Sequence, residues 1–311
     1  MRPMRWLLLL ALLLFIGAGQ AMAAEGDFPV LNDAGFLDEG EFVYENESDG
    51  IWRYASPALK VEIRRYFDKS KTLTWYEAEV WSKGETFRCI PNDPEDRVNS
   101  TDWPKNIAQK NGTVLAINSD FYHLRVQQKS RTGIVIRDGE IIGTKTNGHN
   151  KGTFPNLDTM ALYPDGRMEV YASDAYTAEE YLEMGAVDVL AFGPYLIQDG
   201  QLNETALKKY GKSSAPRAAI GMVEPGHYFA MMLEGRHSKS KGAGISFLAD
   251  KLMEKGCQTG FNVDGGQTAT MVFMGEQIIQ VGKTSGSNAS ARKATEILGI
   301  GTSAQVTEEK K

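Results

Sequence analysis

Five short stretches of the chain gather residues able to bind or transform a polar ligand. In AINSDFYH, Asn118 and Asp120 follow a short apolar run. An amide offers both a donor and an acceptor, and a carboxylate can act as acid, base or cation ligand; the same residue types also cap turns. In FGPYLIQDG, Gly193 and Pro194 interrupt a strand-like run. Such a break can admit a ligand to the backbone, or mark a bulge or edge. In SAPRAAIGM, Arg217 is the only charge at the start of an apolar run. A guanidinium there can grip phosphate or carboxylate through two parallel bonds, or serve an ordinary ion pair. In MMLEGRHSKSKGAGIS, Glu234, Arg236 and His237 follow an apolar strand, and a Ser/Gly/Lys loop leads to a helix start, which favours anions. In FNVDGGQTATMVF, Asp264 precedes Gly265, Gly266, Gln267 and Thr268. Its two glycines can turn backbone N–H groups toward an oxyanion or phosphate, or simply form a wide loop.

Other chemistries find no support. The chain has no GxSxG elbow, no HExxH, no GxxxxGK[ST] and no zinc-spaced cluster of His and Cys.

The elements that must position these residues read as hairpins with a few helices between them. Leu59, Val61 and Ile63 alternate with polar residues, as do Tyr76, Ala78 and Val80, and DKSKT turns between the two runs. Asp138-Gly139, Asp165-Gly166 and Asp199-Gly200 sit between alternating runs, where Asp-Gly favours a type I′ turn. Glu224-Pro225-Gly226 marks another turn. Asp102 is placed to cap a short helix that has Pro104 in its first turn and ends near Gly112. Thr177 and Glu180 resemble a capping box opening a helix that closes at Gly185. Ile245, Leu248, Leu252 and Met253 share one helical face ahead of Gly256. The pattern predicts an α+β fold, with a mixed, largely antiparallel sheet built from hairpins and a few flanking helices.

The ends of the chain read differently. Arg2 and Arg5, the apolar run Leu7–Ile16 and the small residues Ala21 and Ala23 predict a secretory signal peptide over 1–24. The run is short for a bilayer span, so the expected product is exported, periplasmic or secreted, with no stable membrane anchor after cleavage. Loss of Arg2 and Arg5 takes the formal net charge from −6 to −8, which argues against a nucleic-acid partner. Residues 25–112 read as an N-terminal extension, loop-like and acidic over 25–50, followed by the first strands. Residues 113–303 read as the catalytic region, compact with 51–112, and 304–311 as a frayed tail. Cys89 and Cys257 are the only cysteines; export allows either a disulfide or two separate buried thiols.

The order of the motifs says more than any one of them. AINSDFY, FGPYLIQDGQ, APRAAIGM, LEGR with its Ser/Gly loop, and FNVDGGQTATMVF, over about residues 113–300, resemble the phosphodiester glycosidase family. This is the family of N-acetylglucosamine-1-phosphodiester α-N-acetylglucosaminidase, whose bacterial relatives carry the label exopolysaccharide biosynthesis protein. The chain departs from the family pattern at several points. Asn118-Ser119-Asp120-Phe121-Tyr122 stands where Asn-Gly-Gly-Phe-Phe is common, Ala218 replaces Thr after Arg217, and Glu234 replaces Asp before Gly-Arg. Gln267 and Thr268 replace Gly and Ser in Asp-Gly-Gly-Gly-Ser.

The resemblance implies hydrolysis of a sugar-1-phosphodiester, with a phosphate-linked sugar or glycan as substrate. Paired carboxylates are the usual glycosidase device. On this reading Asp264 is the principal catalytic carboxylate, with Glu234 and Asp120 as partners. Arg217 and Arg236 contact phosphate, Gly265 and Gly266 supply backbone donors, and Asn118, Gln267 and Thr268, with the Gly193 break, shape the substrate site. The motifs name no cofactor, and a divalent cation, Ca²⁺ or Mg²⁺, stays open. Two alternatives stay open: a metal-assisted phosphodiesterase with Ca²⁺ or Mg²⁺ held by Asp120, Glu234 and Asp264, and a non-catalytic glycan-binding or exopolysaccharide assembly factor.

Overall fold

The computed structural model describes residues 26–145, 155–282 and 291–306. The leader at 1–24 and residues 307–311 of the tail lie outside them. In chain order the strands are β1 Phe42–Asn46, β2 Ile51–Ala55, β3 Leu59–Asp68, β4 Leu73–Ser82, β5 Arg88–Pro91, β6 Thr113–Asn118, β7 Gly133–Arg137, β8 Glu140–Lys145, β9 Asp158–Leu162 and β10 Met168–Tyr171. They continue with β11 Asp188–Phe192, β12 Tyr195–Gln198, β13 Gln201–Leu202, β14 Arg217–Glu224, β15 His227–Leu233, β16 Thr259–Val263, β17 Met271–Phe273, β18 Glu276–Gln277 and β19 Glu296–Thr302. Four α-helices are described: α1 Pro104–Lys110, α2 Ala178–Glu183, α3 Glu204–Tyr210 and α4 Ile245–Glu254.

The strands form three sheets, ordered β1-β2-β3-β4-β15-β14-β16-β12-β13, β10-β9-β11-β7-β8 and β18-β17-β6-β19-β5. Neighbouring strands pair antiparallel throughout, as at Ala218↔Val263 between β14 and β16 and Met271↔Ile117 between β17 and β6. The largely antiparallel α+β expectation therefore holds in its coarse form, with the balance well toward β.

The period-2 pattern of the strands explains the layering. Ala218, Ile220 and Met222 of β14, Leu115 and Ile117 of β6, and Leu190 and Phe192 of β11 turn into one core shared by all three sheets. The alternate residues face outward and meet a helix. Ala219 of β14 lies in a second cluster with Ile245, Leu248, Ala249 and Leu252 of α4. Ala116 of β6 packs with Ile107 and Ala108 of α1, and Val189 of β11 with Ala178 and Tyr181 of α2. Each fully buried aliphatic side chain contributes about 1.5–3 kcal/mol, so these stripes fasten the helices down. The α4 contact also needs Gly221: a Cβ there would lie 2.8 Å from Cys257 Sγ and 2.9 Å from Leu252 Cδ2.

Several local expectations shift. The 25–50 lead-in contains a strand, β1, paired to β2 from Phe42↔Ala55 to Asn46↔Ile51. Trp103, not Asp102, occupies the cap position of α1, and Asp102 instead accepts from Trp103 N and Asn106 Nδ2. The polar loop after Asn118 contains a π-helical turn over His123–Gln127. Both residues of Asp138-Gly139 and of Asp199-Gly200 have positive φ, as a type I′ turn requires, whereas at Asp165-Gly166 only the glycine does. The Thr177/Glu180 capping box is present as read. The start of the tail is tied down. Ser303 Oγ and Gln305 Nε2 donate to Glu41 Oε2, and Val306 joins the shared core. Cys89 and Cys257 are separate buried thiols in different clusters, with Cys257 pushed up to about 12 by burial. No described helix is long and apolar enough to cross a membrane.

Candidate active site

Asp264 stands immediately after β16, where the chain leaves the nine-stranded sheet. Its carboxylate accepts from Tyr122 N at Oδ2 (3.0 Å) and from Gly265 N at Oδ1 (2.8 Å). Its carbonyl accepts from Asn118 Nδ2 at 2.7 Å. Asn118 ends β6, in a different sheet, and its Oδ1 accepts from Thr270 N at 3.1 Å. The Asn118 amide thus donates to one end of the 264–270 turn and accepts from the other, clamping it from both sides. Buried at 1% exposure, it positions the acid and does not face a sugar.

The Asp264 residue stays partly open to a cavity, yet its carboxyl is sunk among protein atoms. Burial raises its pKa to about 6; the bonds from Tyr122, Gly265 and Thr268 and the charge of Arg292 oppose the rise. A carboxyl poised near neutrality suits proton transfer and is common at catalytic positions.

The cavity, about 520 Å³, is lined by Asp264 to Gln267, Arg217, Arg236 and Arg292, and by the end of α3 and the loop after it, Lys209–Ala215 apart from Gly211. Arg217 begins β14 and is buried; its Nη2 donates to Ser213 O at 2.8 Å. Burial and the nearby Arg236 charge pull its guanidinium below the usual arginine range, and Asp264 opposes them. Arg236 adopts left-handed backbone (φ 61°), and its guanidinium packs over Gly266. Arg292 donates to Thr268 Oγ1 at 3.2 Å and lies 4.3 Å from the centre of the Tyr122 ring. Among the described lining residues Asp264 is the sole acid, surrounded by cationic side chains.

The glycines do a different job from the one expected. Gly265 N is taken by the Asp264 carboxylate and Gly266 N by Pro216 O at 3.0 Å. Neither is left to hold a phosphate. What the glycines supply is close approach: a Cβ on Gly265 would lie 2.7 Å from Pro216 O, and Gly266 has φ 64°. Anion contact falls to the arginine side chains.

The structure brings Arg217, Arg236, Asp264, Gly265, Gly266 and Gln267 to one cavity, with Thr268 just beneath. It places three expected residues elsewhere. Asp120 sits in a buried ion network: Oδ2 accepts from Arg125 Nε (2.8 Å) and Arg137 Nη2 (2.9 Å), and Arg137 also pairs with Glu296. Both oxygens of Asp120 are engaged, because Oδ1 accepts from Phe121 N. Glu234 opens into a second cavity, where Oε1 accepts from Tyr76 Oη and Gln280 N and Oε2 lies 3.3 Å from His237 Nε2. Gly193 approaches Asp158 and Asn156, and its carbonyl accepts from Asn262 Nδ2. Asp120, Glu234 and Asp264 therefore do not form one cation site; among the described residues no group of three or more His, Cys, Asp or Glu does.

One contributor escapes a reading of the sequence, and another, Arg292, enters it only through the family resemblance, which takes in its segment. Arg292 lies in SNASARKA, a small-residue stretch without periodicity. The Lys209–Ala215 stretch, the end of α3 and the loop after it, carries no motif of its own. Only the fold brings them to the cavity.

A family model described as phosphodiester glycosidase matches residues 111–301. The catalytic domain of zebrafish N-acetylglucosamine-1-phosphodiester α-N-acetylglucosaminidase, solved auto-inhibited by its pro-peptide, superposes with a TM-score of 0.60 at 17% identity, covering 84% of this chain and 87% of that one. A putative exported protein from Burkholderia pseudomallei gives 0.50 at 10% identity, covering 73% and 74%. An uncharacterized SPbeta prophage-derived protein of Bacillus subtilis is 23% identical over 175 residues, 56% of this chain and 26% of its own length. The chain thus spans about a quarter of that relative.

Proposed function

Because the chain belongs to the phosphodiester glycosidase family, we infer that its Asp264 cavity hydrolyses a sugar-1-phosphodiester. The observation that carries this reading is the composition of the cavity, one acid set among Arg217, Arg236 and Arg292. An ordinary glycosidase uses a second carboxyl to protonate its leaving group. A phosphate monoester leaves without that help, so one carboxylate with a cationic cradle is the device such a substrate needs. The guanidiniums bind the phosphodiester anion and stabilise the charge that grows on it as the bond to the sugar breaks. Ionised Asp264 faces the anomeric carbon, where its charge balances the developing oxocarbenium and its oxygen takes a proton from the attacking water. Water adds across the C1–O bond, giving free sugar and a phosphate monoester. The leader-like N-terminus supports export of this activity, to act on envelope or extracellular glycans.

The test is release of methyl phosphate from the methyl phosphodiester of N-acetylglucosamine-1-phosphate. That sugar is the one in the zebrafish enzyme's name. Wild type is expected to turn it over and Asp264→Asn to lose about a thousandfold or more in kcat. Hydrolysis by Asp264→Asn at the wild-type rate would remove the acid from the mechanism. Glycan binding without turnover in the wild type would favour the binding-protein reading.

A further inference from the structure

The second cavity, about 470 Å³, opens where Glu234 points, and the hydrolytic reading leaves it without a role. Its walls come from two parts of the chain. Glu47, Arg65, Phe67, Thr74 and Tyr76 precede the family match, while Glu234, Lys239 and Gln277–Gln280 lie within it. Two cations, Arg65 and Lys239, stand with two acids, Glu47 and Glu234. The lining is therefore balanced in charge, unlike the arginine-rich cavity at Asp264. The amides of Gln277 and Gln280 and the hydroxyls of Thr74 and Tyr76 add donors and acceptors. At the rim Phe67 is 59% exposed, an apolar ring left in water beside polar groups. A neutral, hydroxyl-rich ring with one apolar face matches that set; a phosphate does not.

The two cavities share a thin partition. Glu234 lines one and Arg236 the other, with Gly235 between them. Consecutive Cα atoms are about 3.8 Å apart, so the two walls stand within about 8 Å of each other along the chain. Gly235 packs directly on Gly242 and Pro216, and a Cβ on Gly282 would collide with the Gly235 carbonyl. Gly235 adds no side chain to the wall at this point.

The geometry points to the Glu234 cavity as a saccharide subsite that takes a neutral sugar unit of the substrate beyond the one whose bond is broken. The proposal rests on the hydrolytic reading above for its link to turnover, but not for binding itself. Phe67 stacks on the sugar face, and Glu234, held by Tyr76 Oη and Gln280 N, directs the polar edge.

Two measurements test it. The first compares kcat/KM on the methyl phosphodiesters of N-acetylglucosamine-1-phosphate and of chitobiose-1-phosphate. The disaccharide is expected to be preferred by about tenfold, and Phe67→Ala to bring that ratio toward one; an equal preference in wild type, or a ratio unmoved by Phe67→Ala, overturns the link to substrate length. The second is calorimetric titration of the full chain carrying Asp264→Asn with chitotriose, alone and with Phe67→Ala added. Binding weakened about tenfold by Phe67→Ala supports the subsite, and absence of binding overturns it. Should neither diester be hydrolysed while chitotriose binding still depends on Phe67, the hydrolytic reading fails and the subsite stands.

Discussion

Asp264 receives two backbone N–H bonds, which ordinarily depress a carboxyl, and still has a pKa raised to about 6. Desolvation outweighs the donors. Two predictions follow from the sign of that shift. First, because the ionised acid does the work, kcat/KM on the minimal diester rises with pH through about 6, and the limb disappears in Asp264→Asn. Second, a carboxyl whose folded pKa lies above its ordinary value of 3.8 contributes stability that is complete below that value and is lost as pH rises through about 6. Raising the pH from 4 to 8 should therefore shift the Tm difference between Asp264→Asn and wild type in the variant's favour, as read by thermal unfolding at both values. No change in that difference would show that the acid is not desolvated. At the same scale, Arg217→Lys keeps the charge but loses the fork that grips two oxygens at once. It should raise KM for the diester about tenfold or more, checked by initial-rate kinetics. Arg292 should matter comparably when changed to Ala. Asp264, Arg217 and the positions of the two glycines were legible in the sequence because their types are chemically specific, but the glycines' job, close approach in place of donation, was not. The role of Asn118 was not, because the amide's partners are chosen by two sheets meeting, a long-range event with no local signature.

At the scale of elements, β6 and the turn after it decide where the acid sits. Tyr122 offers its N–H to Asp264 only because the 119–125 segment is pinned. Asp120 holds Arg125 and Arg137, Arg137 holds Glu296, and Ser119 donates to Glu296 at 2.5 Å. Removing one member of a buried ion cluster leaves its partner charged and unsatisfied, at about 3–5 kcal/mol. Arg137→Ala should therefore lower Tm sharply. It should also reduce kcat through Tyr122 although Arg137 lines no part of the Asp264 cavity, as unfolding and steady-state kinetics would show. The carboxylate Asp120, expected in catalysis, is structural for the same reason: two guanidiniums and a backbone N–H already occupy it. Hairpins and the α2 and α4 caps were readable from turn residues and periodicity. Strand β1 was hidden because FVYEN sits among acids, and its pairing with β2 overrides local propensity.

Over the whole molecule, three sheets close on one core, and the site lies where two of them meet. Arg217 belongs to the nine-stranded sheet, Asp264 directly follows its strand β16, and Asn118 belongs to the sheet of β6. Activity and tertiary structure should then be lost together on heating, without a folded, inactive stage. Cys89 and Cys257 lie in separate clusters, both thiols raised by burial. A thiol reagent at pH 8 is expected to modify neither until the protein unfolds, and reductant should leave Tm unchanged; early modification of either would contradict the packing.

The amide clamp from Asn118 has one more consequence, for transplantation. FNVDGGQTATMVF looks like a cassette, a linear run that could be grafted onto another β-scaffold. Its acid, however, is fixed by donors from Asn118 and Tyr122, more than 140 positions upstream. Moved alone, the segment would carry an ordinary exposed aspartate. The chemistry is portable only as a joint between two sheets.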